Sequence, residues 1–319
     1  MSIDQSTFHK QQERASQRRY IAMKRRQKKI RRIKRRLRRL CVIACLVVFC
    51  VAGRQVVKRQ DSFHIDLKHL EQTANEPEHS SKKQPVKTRR YAKEEVNSAL
   101  EVMAHASSKY QKIYENKENY PEDLLLALCN NDEMLDFVLG YPDGSSDKAI
   151  KLSKKELKAS VPLFLQWDKR WGYASYGNSC IGISGCAPTC ISMVAVGLTG
   201  NVNATPREVA QYASDKGYYL DGTGTQWSFL SEGGEQFGIH GRELGLDKKQ
   251  IEGHLKEGHP IICSMGPGDF TTQGHFIVLT GLEDGKITVN DPNSRQRSCI
   301  LWDYDTLAKQ MKNLWVYTA

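Results

Sequence analysis

Fourteen consecutive residues without a charge, LCVIACLVVFCVAG at positions 40–53, limit what the start of this 319-residue chain can become. Such a run does not stay in water; it belongs in a lipid core, a signal-peptide core or a buried helix. It falls short of the about 20 residues of an ordinary span. Its flanks compensate: the long side chains of Arg38, Arg39 and Arg54 can reach for the interface, and Val56 and Val57 extend the apolar surface. The preceding run KRRQKKIRRIKRRLRR is longer than the basic region of a signal peptide and orients that end toward the cytoplasm. The expectation is a basic cytoplasmic arm over 1–39, a single-pass transmembrane signal anchor over 40–57, and an extracytoplasmic body held at the cell membrane. A cleaved signal peptide, with Val51-Ala52-Gly53 as a weak small-residue site, is the alternative. A lipoprotein cysteine at Cys45 is discounted, because almost no apolar sequence precedes it.

The net charge of +11 is unevenly spread. Residues 1–39 hold 16 Lys/Arg against Asp4 and Glu13, while the remaining 280 residues hold 31 basic and 34 acidic groups. The body has no basic excess, so no specific nucleic-acid partner is expected. For the arm itself, a nucleic-acid or anionic-lipid patch is the plainer alternative, and attraction to acidic headgroups is compatible with an anchor.

Residues 58–92 are polar and broken by proline, which reads as a linker. Residues 93–150 read as a small helical segment. Val96, Leu100, Met103 and Tyr110 fall at helical spacing, and NYPEDLLLALCNNDEMLDFVLGYPDG reads as two short helices broken at Asn130-Asn131 and ended at Gly140. The segment is too small to stand alone and is expected to pack on the larger domain downstream. Over 161–319 helices come first and β-rich runs later, an α+β pattern. HFIVLTG and KITVND, joined by Glu283-Asp284-Gly285, read as a hairpin, and residues 314–317 as a closing strand. No internal repeat is visible.

Of nine cysteines, Cys41, Cys45 and Cys50 lie in the apolar run and Cys129 in a helical stretch. A zinc site would need a second close Cys or His pair, and none exists, so no metal is expected. Disulfides among Cys129, Cys180, Cys190, Cys263 and Cys299 are permitted outside the cytoplasm, with connectivity undetermined. In GISGCAPTCISMVAVGLTG, Pro188 suits a first helical turn, and Cys190, Ile191, Val194 and Leu198 form an apolar stripe. Cys190 is then core. Cys186 stands at the helix start, where unpaired amides and the dipole favour a negative nucleophile. Gly185 permits close approach of another chain. The plain alternative is a small residue in a tight turn.

A thiol nucleophile needs an imidazole. His254 lies in a charged amphipathic helix, His259 in a turn before Pro260, and His240 beside a strand. His275 opens an apolar strand, where it is fixed yet can face a cleft; an ordinary buried histidine is the alternative. Asn290 or Asp291, at the end of the hairpin partner, can orient the ring, and alternation lets only one face it. Gln166, beside Trp167 and Trp171, can join the Cys186 amide as an oxyanion donor.

In order, VPLFLQWDKRWG, GCAPTCISMVAVGLTG, GTGTQW, GDFTTQGHFIVLTG and VNDP resemble the papain-like cysteine peptidases akin to bacteriocin-leader (double-glycine) processing peptidases. The sequence is most similar to their stand-alone, surface-anchored branch in Gram-positive bacteria. The resemblance covers residues 161–319. It implies a papain-like fold with N-terminal helices packed on an antiparallel sheet, no cofactor, and a peptide or protein substrate. It also implies Cys186 as nucleophile, His275 as base, Asp291 as orienting residue and Gln166 as oxyanion donor. Thr225 and Trp227 of GTGTQW are then expected to line the cleft; capping of a helix by Thr225 is the alternative. One departure stands out: Ala187 replaces the second glycine of Gly-Cys-Gly-Pro-Thr and would be strained in a turn of positive φ. The implied activity is peptide-bond cleavage through an acyl-enzyme. The competing readings are a catalytically inactive papain-like binding module and a cell-wall peptide amidase, which would usually want a second histidine in place of Asp291.

Overall fold

The computed structural model describes residues 91–145 and 149–319. The expected basic arm, the expected anchor at 40–57 and most of the expected linker lie outside the described residues. Among the described residues no helix is long and apolar enough to cross a membrane.

Strands β1 (Ser175–Tyr176), β2 (Ser179–Cys180), β3 (Tyr219–Leu220) and β4 (Gly224–Thr225) make two short antiparallel pairs. Strands β5 (His240–Leu244), β6 (Ile261–Met265), β7 (His275–Glu283), β8 (Lys286–Asn290) and β9 (Met311–Thr318) form an antiparallel sheet in the order β5-β9-β6-β7-β8. The architecture is therefore mixed helix and antiparallel sheet. Strand β9 is interior, paired with β5 on one side and β6 on the other, so the sheet depends on it.

The hairpin forms where the sequence indicates. Glu283 pairs with Lys286, leaving a two-residue turn in which Asp284 and Gly285 both take positive φ, as a type I′ turn requires. Every residue of β6 is buried, because both sheet faces are covered. On one face, Ile262, Phe276, Val278, Trp315 and Tyr317 meet the helix Cys186–Thr199. On the other, Ile261, Cys263, Ile277 and Leu279 meet Ile251, Leu255 and Leu307 from the helices Lys248–Lys256 and Tyr304–Ala308.

The helix Cys186–Thr199 differs from the expected stripe. Residues 187–196 are all buried, so it is a central helix enclosed on every side. The segment ahead of it also departs from expectation. Ser107 is extended, dividing one expected helix into Val96–Ala106 and Ser108–Glu115. Glu122–Asn130 and Leu135–Leu139 come next, broken at Asn131 and ended at Gly140. These helices share a core with Leu165, Trp167 and Cys180. Phe137 stacks on Tyr173 at 4.5 Å and fills the space that a Cβ on Gly182 would occupy, 2.5 Å away.

Candidate active site

Cys186 is the first residue of the central helix and is half-buried. Cys190, one turn on, is wholly enclosed, and burial, then charge at Cys186, pushes its thiol well above the ordinary range. The two sulfurs of one helix thus divide between pocket and core. Gly185 makes room for the chain's own preceding turn: a Cβ there would meet the Ile181 carbonyl oxygen at 2.6 Å. Ala187 is not strained. Asp284 is the single non-glycine residue with positive φ among the described residues, and Ala187 is a fully buried helical residue.

His275 opens β7 and is buried. Its Nε2 is 2.7 Å from Asp291 Oδ1, and the ring lines the same cleft as Cys186, near enough to feel its charge. Asp291 is completely enclosed. Its Oδ1 also accepts from the Asn293 N–H at 2.7 Å, and its Oδ2 accepts from Arg297 Nε. Asn290 is turned away and donates to the Val161 carbonyl at 3.0 Å, so Asp291 is the residue that faces the ring.

Charge sets the protonation of this buried set. Burial alone would lower the His275 pKa; the Asp291 charge and hydrogen bond, then those of Cys186, outweigh it and raise the value to about 9. Burial would raise Asp291; the Arg297 guanidinium, then His275, hold it down at about 2. Arg297 carries no sequence signal, since a basic residue in the polar run NDPNSRQRS reads as a solvated turn. Its role comes from the turn Arg295–Ser298 folding back over Asp291.

A cleft of about 210 Å³ contains Cys186 and His275 and is lined further by Gln166, Ile183, Thr271 and Arg297. A larger hollow of about 600 Å³ beside the helix Pro206–Asp215 is lined by neither cysteine nor histidine and has no part in this chemistry. Gln166 is buried at the cleft, but its Nε2 donates to the Gly182 and Ile183 carbonyls at 3.0 and 3.1 Å, while its Oε1 has no partner. Thr225 and Trp227 do not line the cleft. Thr225 Oγ1 is 2.7 Å from the hydroxyl of the buried Tyr176. No side chain caps the helix Ser228–Glu232, so the capping role for Thr225 is not realised. Trp227 is 46 % exposed and meets Trp315 edge-on at 5.8 Å.

Elsewhere, His254, Glu257 and His259 bring donor atoms within 4.8 Å of one another. Both histidines are half-buried rather than solvated, with their Nδ1 atoms 3.4 Å apart. None of the three lines the cleft. The six described cysteines are free thiols.

These features define a class: a mixed helix and antiparallel-sheet domain that sets a helix-borne cysteine against a strand-borne histidine and a buried aspartate. The Peptidase C39 like family model matches residues 158–319, and the chain belongs to that family. Among solved structures, the peptidase domain of Streptococcus ComA, a bi-functional ABC transporter involved in a quorum-sensing pathway, is 15 % identical. That match covers 42 % of this chain and 89 % of the other, with a TM-score of 0.33. A Bacillus anthracis protein described as a C39-like peptidase is 13 % identical over 49 % of this chain and 94 % of its own, with a TM-score of 0.30. No curated protein matches the chain.

Proposed function

We propose that this chain is a membrane-anchored cysteine peptidase acting outside the cytoplasm, with Cys186, His275 and Asp291 as its triad. Family membership points to a peptide or protein substrate. The observation that carries the reading is the position of His275, bonded to the buried Asp291 and sharing one cleft with Cys186. The localisation rests on the sequence at 1–57 alone.

The chemistry comes from the arrangement. The thiolate is the attacking form of a cysteine, and the neighbouring imidazole is the group that takes up its proton. The thiolate adds to the peptide carbonyl carbon, and negative charge builds on the carbonyl oxygen. His275 gives its proton to the leaving amine as the C–N bond breaks, leaving a thioester on Cys186. Water then attacks the thioester and loses a proton to His275, and the carboxylate product departs as the sulfur is restored. Asp291 holds the ring in one tautomer throughout. The Cys186 amide, in a helix's first turn, is a ready oxyanion donor. Gln166 becomes the second donor once its amide releases the Gly182 and Ile183 carbonyls.

That amide orientation is the one observation favouring the rival reading, an inactive binding module. The test is alkylation by iodoacetamide with peptide mapping of the full chain, together with cleavage of a fluorogenic peptide carrying Gly-Gly before the scissile bond. The expected result is that Cys186 reacts at pH 6 at least tenfold faster than the exposed Cys299, and that its alkylation stops cleavage. Equal rates at the two thiols, with no cleavage of any peptide offered, would leave the binding module standing.

A further inference from the structure

The family match begins at residue 158, yet part of the cleft wall comes from before it. Ala127, Asn130, Asn131 and Met134, from the helical segment, line the same cleft as Cys186 and His275. The segment also grips the loop that carries Asp291, by two routes.

One route runs through Glu133. Its Oε1 accepts from the Ser294 hydroxyl, and its Oε2 accepts from the Arg295 N–H at 2.8 Å. Ser294 in turn accepts from the Arg297 N–H at 3.1 Å, and Arg297 Nε donates to Asp291 Oδ2. The other runs through Asn131. Its Oδ1 accepts from the Glu133 N–H at 3.1 Å, and its Nδ2 donates to the Asn293 carbonyl at 2.7 Å. The Asn293 N–H donates to Asp291 Oδ1 at 2.7 Å. One route ends on each oxygen of the carboxylate that orients His275. Trp167 adds a hydrogen bond to the Asn293 carbonyl at 3.2 Å, closing the loop against the family domain itself.

We propose that the helical segment is a working part of the active site: Glu133 is a positioning residue for Asp291, and Ala127 with its neighbours bounds the substrate pocket. A carboxylate is well suited to the first task. Half-buried, it takes a hydroxyl and a backbone amide at once, and charge-assisted bonds of this kind are about twice as strong as neutral ones. Without it the turn at 294–298 loses its outer anchor, and Arg297 is free to carry Asp291 off the imidazole. The inference rests on the peptidase reading, and the experiment separates the two.

The test uses the full chain and iodoacetamide at pH 6, where an ordinary thiol is mostly unreactive. Cys299 serves as the internal reference. Glu133→Ala should slow alkylation of Cys186 by about tenfold without changing that of Cys299, and Glu133→Gln, which keeps an acceptor, should restore part of the rate. A pad that only stabilises the domain would lower Tm in Glu133→Ala but leave the Cys186 rate and its pH profile unchanged, and that result overturns the positioning role. Ala127 is half-buried at the cleft, so Ala127→Phe should raise KM for the Gly-Gly peptide at least fivefold. An unchanged KM overturns the wall. If Cys186 of the unaltered protein reacts no faster than Cys299, the peptidase reading itself is lost.

Discussion

On one side of the cleft stands a helix whose residues 187–196 are all buried; on the other lies a polar loop, residues 290–297, held by ion pairs and hydrogen bonds. The sulfur side is placed by packing. Close-packed apolar side chains leave a helix little freedom, and its N-terminus comes to rest wherever its flanks bury best. The imidazole side is placed by charge. Asp291 and Arg297 are both buried, and each is tolerable there only because the other is present. Packing resists conservative change and pH alike, whereas a buried charge network fails when one partner is removed. The two sides of the cleft should therefore break in different ways.

Cys186→Ala is the largest break. It removes the proposed nucleophile without disturbing the helix, so cleavage should fall by about 10³-fold or more with Tm nearly unchanged. Residual cleavage close to that of the unaltered protein would assign the chemistry elsewhere.

Asp291→Ala should strike the charge side twice. Leaving Arg297 buried and unpaired costs about 3–5 kcal/mol of stability. The loss of ring orientation lowers kcat by about 10²-fold. Asp291→Asn separates the two roles: it can still accept from His275, so much of kcat should return. Without the carboxylate charge, however, the imidazole drops toward its ordinary range, and the basic limb of the rate profile moves to lower pH. Identical profiles for Asp291→Asn and the unaltered protein would show that charge is not what tunes the ring.

Stability against pH sharpens the same contrast. His275 is raised in the folded protein to about 9, so its contribution is complete below the usual imidazole value and is lost as pH climbs through about 9. Asp291 is depressed to about 2, so its contribution is present above the usual carboxylate value and is lost as pH falls through about 2. Tm should therefore decline from neutrality toward pH 10. In His275→Ala that part of the decline should disappear. A slope shared by both proteins would place the sensitive group elsewhere.

The packed side was the legible one. Hydrophobic spacing and Pro188 place the start of the central helix, and Asp284-Gly285 places the hairpin that brings His275 near Asp291. These are local signals, in which the residues that matter are close in sequence. The charged side was only half legible. The strand exit offers Asn290 and Asp291 equally, and the fold decides by turning Asn290 to the Val161 carbonyl. Arg297 and Glu133 give no sign at all: each is one charged residue among many, and each becomes significant through contacts with residues far from it in the chain. Glu133 reaches its Ser294 partner across 161 positions. Gln166 falls between these cases, since its place at the cleft was readable from the flanking tryptophans but the aim of its amide was not.

The smallest expected effects concern the loop GTGTQW. Sequence resemblance put Thr225 and Trp227 in the cleft, whereas here neither lines it and Thr225 bonds to the buried Tyr176. Thr225→Val removes one hydrogen bond to the Tyr176 hydroxyl and should cost about 1 kcal/mol of stability. Trp227→Ala removes an exposed edge-on contact with Trp315, worth about 0.5–1.5 kcal/mol. If the loop supports the domain without touching substrate, both variants lower Tm slightly and leave KM for a short Gly-Gly peptide unchanged. Longer peptides are the discriminating probe, because Trp227 is exposed enough to meet residues beyond the scissile bond. A KM penalty in Trp227→Ala that grows with peptide length would extend the binding surface past the cleft on the packed side. A KM unchanged at every length would return Trp227 to a purely structural role.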